Sequence, residues 1–156
     1  MVIRSIAELV ADQPLLAGWP EGAGEVSGCA RLVAVAPGEL LVTEGEPAAT
    51  CYLIRRGSVS IELHAPGVGP LRVERVGPGN VVGWSWLFPP YRWRFDARAL
   101  TPVGAIAVDG TCLRERADRD PAFGYQLMHR FGAVLLDRLE AARLRLLDIY
   151  GHGDRA

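Results

Sequence analysis

The chain has 156 residues, 49% hydrophobic and 22% charged, with a formal net charge of −1. That length fits one domain whose single core needs neither disulfides nor metals. The near-neutral balance excludes the basic footprint of a nucleic-acid or anionic-membrane binder. All 17 basic residues are arginine, a bias that a GC-rich genome produces without selection for function. Cys29, Cys51 and Cys112 are odd in number, form no CxxC pair and have no histidine at zinc-ligand spacing. They read as small core residues in a reducing cytosol.

The first 28 residues read as a helical lead-in. Ser5 stands three residues before Glu8, the capping-box spacing, with Ile6, Leu9 and Val10 on one face. No signal peptide or membrane span fits, since Glu8 interrupts the N-terminus and no long apolar run follows; the expected location is the cytoplasm. The segment E-G-A-G-E at 21–25 reads as a loop.

From residue 29 to Asp109 the pattern is one of short strands. Runs at 31–36, 37–42, 51–56, 58–63, 71–76, 80–83, 95–99 and 103–108 are apolar or alternating, each bounded by Gly, Pro or Asp. The tripeptide Arg56, Gly57, Ser58 is a hairpin signal, because glycine accepts positive φ between strands. The segments 44–47 and 77–79 are further turns. Eight strands in about eighty residues predict an antiparallel barrel, a jelly roll or double-stranded β-helix, in a mainly β fold with flanking helices.

The stretch from Val81 to Ala99 holds three of the four tryptophans, with Phe88, Tyr91, Phe95 and two adjacent prolines. Its first half predicts a single helical turn begun at Gly83 and stopped by Pro89 and Pro90. In its second half Trp93, Phe95, Ala97 and Ala99 alternate with Arg92, Arg94, Asp96 and Arg98, the period of a half-buried strand. Such a stretch reads as a pocket wall.

After Asp109 the period becomes helical through 110–150, with a short tail at 151–156 and Gly151 as the stop. Phe123, Leu127 and Phe131 fit a face packed on the barrel. Beyond them Gly132, Leu135, Leu139, Ala142, Leu146 and Ile149 alternate at spacings of three and four, a seam for a partner helix flanked by charged residues. A homodimer, or another protein partner bound through this helix, is expected.

The order of lead-in, eight strands and long helix resembles the cyclic-nucleotide-binding domain, the sensor of catabolite-activator-like regulators and of kinase regulatory subunits. P-G-E-L-L-V-T-E-G-E-P-A, Y-L-I-R-R-G-S-V-S-I, V-G-P-G-N-V-V-G-W, D-A-R-A and I-A-V-D carry the resemblance, over roughly Leu15 to Tyr150. The family's phosphate-binding cassette runs G-E-x-x-L-L and, a few residues on, R-x-A-x-V-x-A. The resemblance implies that its short helix offers backbone N–H groups to the cyclic phosphate. It further implies a glutamate that accepts from the ribose 2′-hydroxyl and an arginine that pairs the phosphate. Gly83 matches the glycine, Leu87 and Phe88 the apolar pair, and Ala97 and Ala99 the strand. The glutamate position is Trp84 and the arginine position is Trp93.

The candidate pocket is therefore Leu53, Gly83, Trp84, Ser85, Trp86, Leu87, Arg92, Trp93 and Arg94. The expected function is a stand-alone regulatory or sensory domain, not an enzyme, with a degenerate cassette. No cofactor or metal is expected, nor direct DNA binding, since a chain that ends at Ala156 leaves no room for a helix-turn-helix domain. Two alternatives remain open. One is a genuine cyclic-nucleotide or other small-ligand binder using Arg92 or Arg94. The other is a protein-interaction scaffold or heterodimerising regulator. His64, His129 and His152 lack a nucleophile or metal partner, Asp109 and Asp148 read as helix-boundary and surface residues, and no catalytic constellation is present.

Overall fold

The computed structural model describes residues 3–153. The strands are β1 (Ala30–Val35), β2 (Leu40–Val42), β3 (Thr50–Arg56), β4 (Val59–Ala65), β5 (Gly69–Val76), β6 (Val81–Val82), β7 (Asp96–Ala99) and β8 (Val103–Asp109). They form two antiparallel four-stranded sheets, ordered β1-β8-β3-β6 and β2-β7-β4-β5. This is the mainly β, jelly-roll arrangement with flanking helices expected from the sequence. β8 is buried along its whole run from Val103 to Val108 rather than at alternate residues. A strand reads that way when both faces are covered. The buried residues of β8 share one core with those of the second sheet, and the lead-in helices touch β1 while the first C-terminal helix touches β3 and β8.

The lead-in comprises α1 (Ile6–Ala11) and α2 (Pro20–Ser27). Ser5 caps α1 by accepting from the Glu8 N–H, and Leu9 and Val10 are buried, as the capping box predicts. The segment 21–25, expected as a loop, is helical. Pro20 starts the helix with its φ already fixed. The missing side chain of Gly22 makes room for the Trp19 indole, which stacks on Phe123 at 5.5 Å.

Gly57 adopts φ +88°, as the hairpin reading requires, yet β3 and β4 do not pair. β3 pairs with β6 and β8, and β4 with β5 and β7, so this turn carries the chain from one sheet to the other. A Cβ on Gly57 would fall on the Pro102 carbonyl oxygen, so the corner is sealed by a second turn. The last cassette strand is also shorter than the alternation suggests. It begins at Asp96, whose carboxylate is buried and accepts the Glu44 N–H at 2.7 Å.

The cysteines are not three free core thiols. Cys29 and Cys112 form a disulfide with Cα atoms 5.8 Å apart across 83 positions, and Cys51 is the free cysteine. The partnership arises from topology: β1 pairs with β8 in the register Ala30↔Val108, which brings the residue before one strand beside the helix after the other.

Two helices complete the domain, α3 (Gly110–Arg119) and α4 (Pro121–Gly153). Asp109 caps α3 through the Thr111 and Cys112 N–H groups, the boundary role read for it. Pro121 starts α4 anew. Gly151 does not stop α4, because neighbouring residues keep the helical ladder through it. Residues 154–156 of the expected tail, and the side chain of His152, lie outside the described part. Phe123, Leu127 and Phe131 are buried as expected, Phe123 against Trp19 of the lead-in and Phe131 against Trp86 of the cassette. Leu135 and Ala142 of the seam are half-buried, whereas Leu139, Leu146 and Ile149 are about half or more exposed at 48%, 53% and 67%. Exposed Tyr125 and Met128 continue the same spacing upstream, and Gly132 opens onto free space.

Candidate functional site

Val81 and Val82 pair with Leu53 and Tyr52, which sets the cassette at the edge of the first sheet. The chain then turns at Gly83, φ +98°, into a single 3₁₀ turn over Ser85–Leu87. This is the short helical unit expected before Pro89 and Pro90. Trp86 is completely buried. Its indole N–H donates to the Gly83 carbonyl at 3.1 Å, and its ring meets Phe131 of α4 edge-on at 5.3 Å. It also lies on Gly110, where a Cβ would come within 2.8 Å. One side chain thus joins the cassette to both C-terminal helices.

Trp93 is 6% exposed and covers Gly83 so closely that a Cβ built there would lie 2.6 Å from Trp93 Cζ3. Phe95 flanks it with ring centroids 5.9 Å apart. The Trp93 backbone is held on both sides: its N–H donates to the Glu46 carbonyl at 3.0 Å, and its carbonyl accepts from the Gly45 N–H at 2.9 Å. The indole therefore occupies a fixed place over the cassette glycine. Leu53 is buried, while Ser85 and Leu87 are half-buried.

Arg92 and Arg94 are exposed on either side of Trp93, as the alternation requires. Arg92 spends a donor on the Gly45 carbonyl at 3.0 Å. Neither arginine is gathered with Trp84, Trp86 and Leu53.

Trp84 is half-buried, with the Arg138 guanidinium 5.3 Å from its ring centroid. Arg138 pairs Glu74 of β5 at 3.2 Å and donates to the Val81 carbonyl. Desolvation pulls its pKa down and the Glu74 carboxylate pulls it back up. This arginine fastens α4 across the mouth of the barrel. The sequence reading missed it, although Arg138 lies four residues after Val134 and seven after Phe131, on the barrel-facing row. Arg114 of α3 was also missed. It donates to the Trp86 carbonyl and stacks over Tyr91 at 4.1 Å, where Tyr91 adopts φ +54°. Only the fold brings those three together.

Two cavities adjoin these elements. One of about 450 Å³ lies between Trp86, Tyr91, Arg114 and Leu127, and one of about 340 Å³ lies beside Val81, Arg130 and Arg138. His64 stands 3.6 Å from Glu44 and 3.8 Å from Asp96 on the outside of the second sheet. Among the described residues no cluster has the make-up of a metal site.

Residues 32–120 match the family model for the cyclic nucleotide-binding domain. Among curated proteins, the CRP-like cAMP-activated global transcriptional regulator of Mycobacterium tuberculosis is 30% identical over 112 residues, 72% of this chain and 48% of its own. The chain thus spans about half the length of the curated relatives it matches. A cyclic nucleotide-binding domain from Methylobacillus flagellatus KT superposes with a TM-score of 0.78 at 22% identity, over 92% of this chain and 81% of that one. The catabolite activator protein of Thermus thermophilus gives 0.70 at 22% identity, over 89% and 63%. With the cassette turn placed between β6 and β7, and the family model covering more than half of the residues, the chain belongs to the cyclic nucleotide-binding domain family.

Proposed function

We propose that this domain is a regulatory module whose cyclic-nucleotide pocket is filled by its own side chains, and which pairs with a partner helix through α4. The observation that carries the reading is the Trp93 indole seated on Gly83, at the position where the family holds its phosphate-binding arginine. A cyclic phosphate entering there would have to displace a buried aromatic ring. It would then lie where the family's arginine is replaced by an indole, and an unpaired buried charge costs several kcal/mol. Arg92 and Arg94, the groups that would rescue binding, are exposed on the other face.

α4 is held on the barrel without a ligand by Arg138 on Glu74 and by Trp86 against Phe131. The module is then regulatory without being a sensor of cAMP or cGMP, and it is not an enzyme. Its half-exposed leucines on α4 support assembly, with a second copy as the simplest partner and a longer relative as the other. Kinship to a transcriptional regulator supports a cytoplasmic setting, and no described helix is long and apolar enough to cross a membrane. Titration calorimetry with cAMP and with cGMP tests the ligand half of the reading. No saturable heat is expected from either nucleotide, and a micromolar dissociation constant for one of them overturns it.

A further inference from the structure

We propose that the Cys29–Cys112 disulfide is a thiol–disulfide exchange site, taking a protein or small-molecule dithiol as its reductant and releasing the first turn of α3 from the α2–β1 junction. The idea is independent of how the cassette is filled. It rests on where the bond lies, what can reach it, and what remains once it opens.

The bond lies beside a groove of about 350 Å³ lined by Cys29, Arg31, Thr50 and Thr111 among others; Cys29 is 9% exposed at its floor, and Cys112 is half-buried. Arg31 gives the groove a positive charge that favours an approaching thiolate. Asp109 also lines it and carries the opposite charge, one of its carboxylate oxygens accepting from the Thr111 and Cys112 N–H groups at 2.9 and 3.1 Å. Cys112 is the third residue of α3, in the first turn of a ten-residue helix capped by Asp109. The third cysteine does not compete. Burial pushes the Cys51 thiol up to about 12, so it holds no thiolate at neutral pH.

The exchange balances without any further reagent. One thiolate of the dithiol attacks Cys29 Sγ, the S–S bond breaks, and its electron pair leaves on Cys112 Sγ, which takes a proton from solvent. The second thiolate of the reductant attacks its own sulfur in the mixed disulfide, releasing Cys29 as a thiolate that is protonated in turn. The chain gains two electrons and two protons, and the dithiol departs as a disulfide.

Opening the bond leaves α3 tied to α2 by the Arg116–Glu25 pair at 2.6 Å, whose side chains are 29% and 49% exposed. Pairs so open to water hold little. On its other side α3 touches the cassette through Arg114 on the Trp86 carbonyl, and touches α4 where Gly124 packs on Ala117. A loosened α3 is therefore in contact with both the cassette turn and the helix that carries the seam.

The test uses the native wild-type protein, treated with a reduced thioredoxin-type dithiol and then alkylated and analysed by mass spectrometry, with hydrogen exchange measured before and after. The aerobically prepared chain should carry the bond. Native reduction should label Cys29 and Cys112 but not Cys51. Amide exchange across 110–119 should rise at least tenfold while β3 and β8 keep their protection, and the melting temperature should fall on the order of 10 °C. A Cys29→Ser, Cys112→Ser variant should reproduce the reduced pattern and ignore the dithiol. A chain isolated without the bond, a bond reduced only on global unfolding, or a reduced chain whose α3 exchange is unchanged would each overturn the proposal.

Discussion

Replacing Trp93 by alanine should destabilise the domain by about 3–5 kcal/mol, the usual range for removing a large aromatic ring from a packed interior. The ring is 6% exposed and wedged between the Gly83 backbone and Phe95, and its own backbone is pinned to Glu46 and Gly45. Little of that surrounding can move to fill a cavity, because its walls are strand and turn backbone. Trp93→Arg should cost at least as much, since it adds a buried guanidinium with no carboxylate opposite. The double change Trp84→Glu with Trp93→Arg restores the family's polar pair, and its two charges offset one another in part. Its loss should therefore be smaller than the sum of the singles, by a coupling of roughly 0.5–3 kcal/mol. That variant is also the one to test for a gain of weak cyclic-nucleotide binding. Urea denaturation of the wild type, both singles and the double measures all of this. A Trp93→Ala protein within about 0.5 kcal/mol of wild type, the range of an ordinary surface substitution, would show that the ring plugs nothing.

The second large effect concerns assembly. Leu139→Asp together with Leu146→Asp should convert a dimer to monomers in sedimentation, while the isolated domain melts almost as before. Both leucines are about half exposed in the protomer, so their loss takes nothing from the barrel core. In a paired helix each aspartate would be desolvated against apolar neighbours, and a buried unpaired charge costs several kcal/mol. That raises the dissociation constant by about three orders of magnitude or more at 1.4 kcal/mol per tenfold. A wild type that is already monomeric at the highest attainable concentration would mean that the seam has another purpose or another partner.

Much of this was legible in the sequence because local chemistry and fold agree. The Ser5 cap, the eight strands with their glycine turns, the Asp109 boundary and the buried face of Phe123, Leu127 and Phe131 all follow from spacing alone. The burial of Trp93 between exposed Arg92 and Arg94 followed from the alternation, although regular strand begins only at Asp96. Apart from Gly151, where the helix simply runs on, the misses depend on a partner distant in sequence. Gly57 has the conformation of a hairpin residue, yet the strands it joins find better partners in opposite sheets. Segment 21–25 is helical because Gly22 receives Trp19, which in turn stacks on Phe123 about a hundred positions away. Cys29 meets Cys112 only through the β1–β8 register. Arg138 looks like one more charged residue on an amphipathic helix until Glu74 and Trp84 are placed beneath it.

The most direct test of the central claim is a crystal structure of the wild-type protein grown with millimolar cAMP. That crystal should show the Trp93 indole on Gly83, Trp86 against Phe131, Arg138 on Glu74, and no nucleotide in the barrel. A purine nucleotide bound at the cassette, with Trp93 swung out and its phosphate held by Arg92 or Arg94, would contradict it.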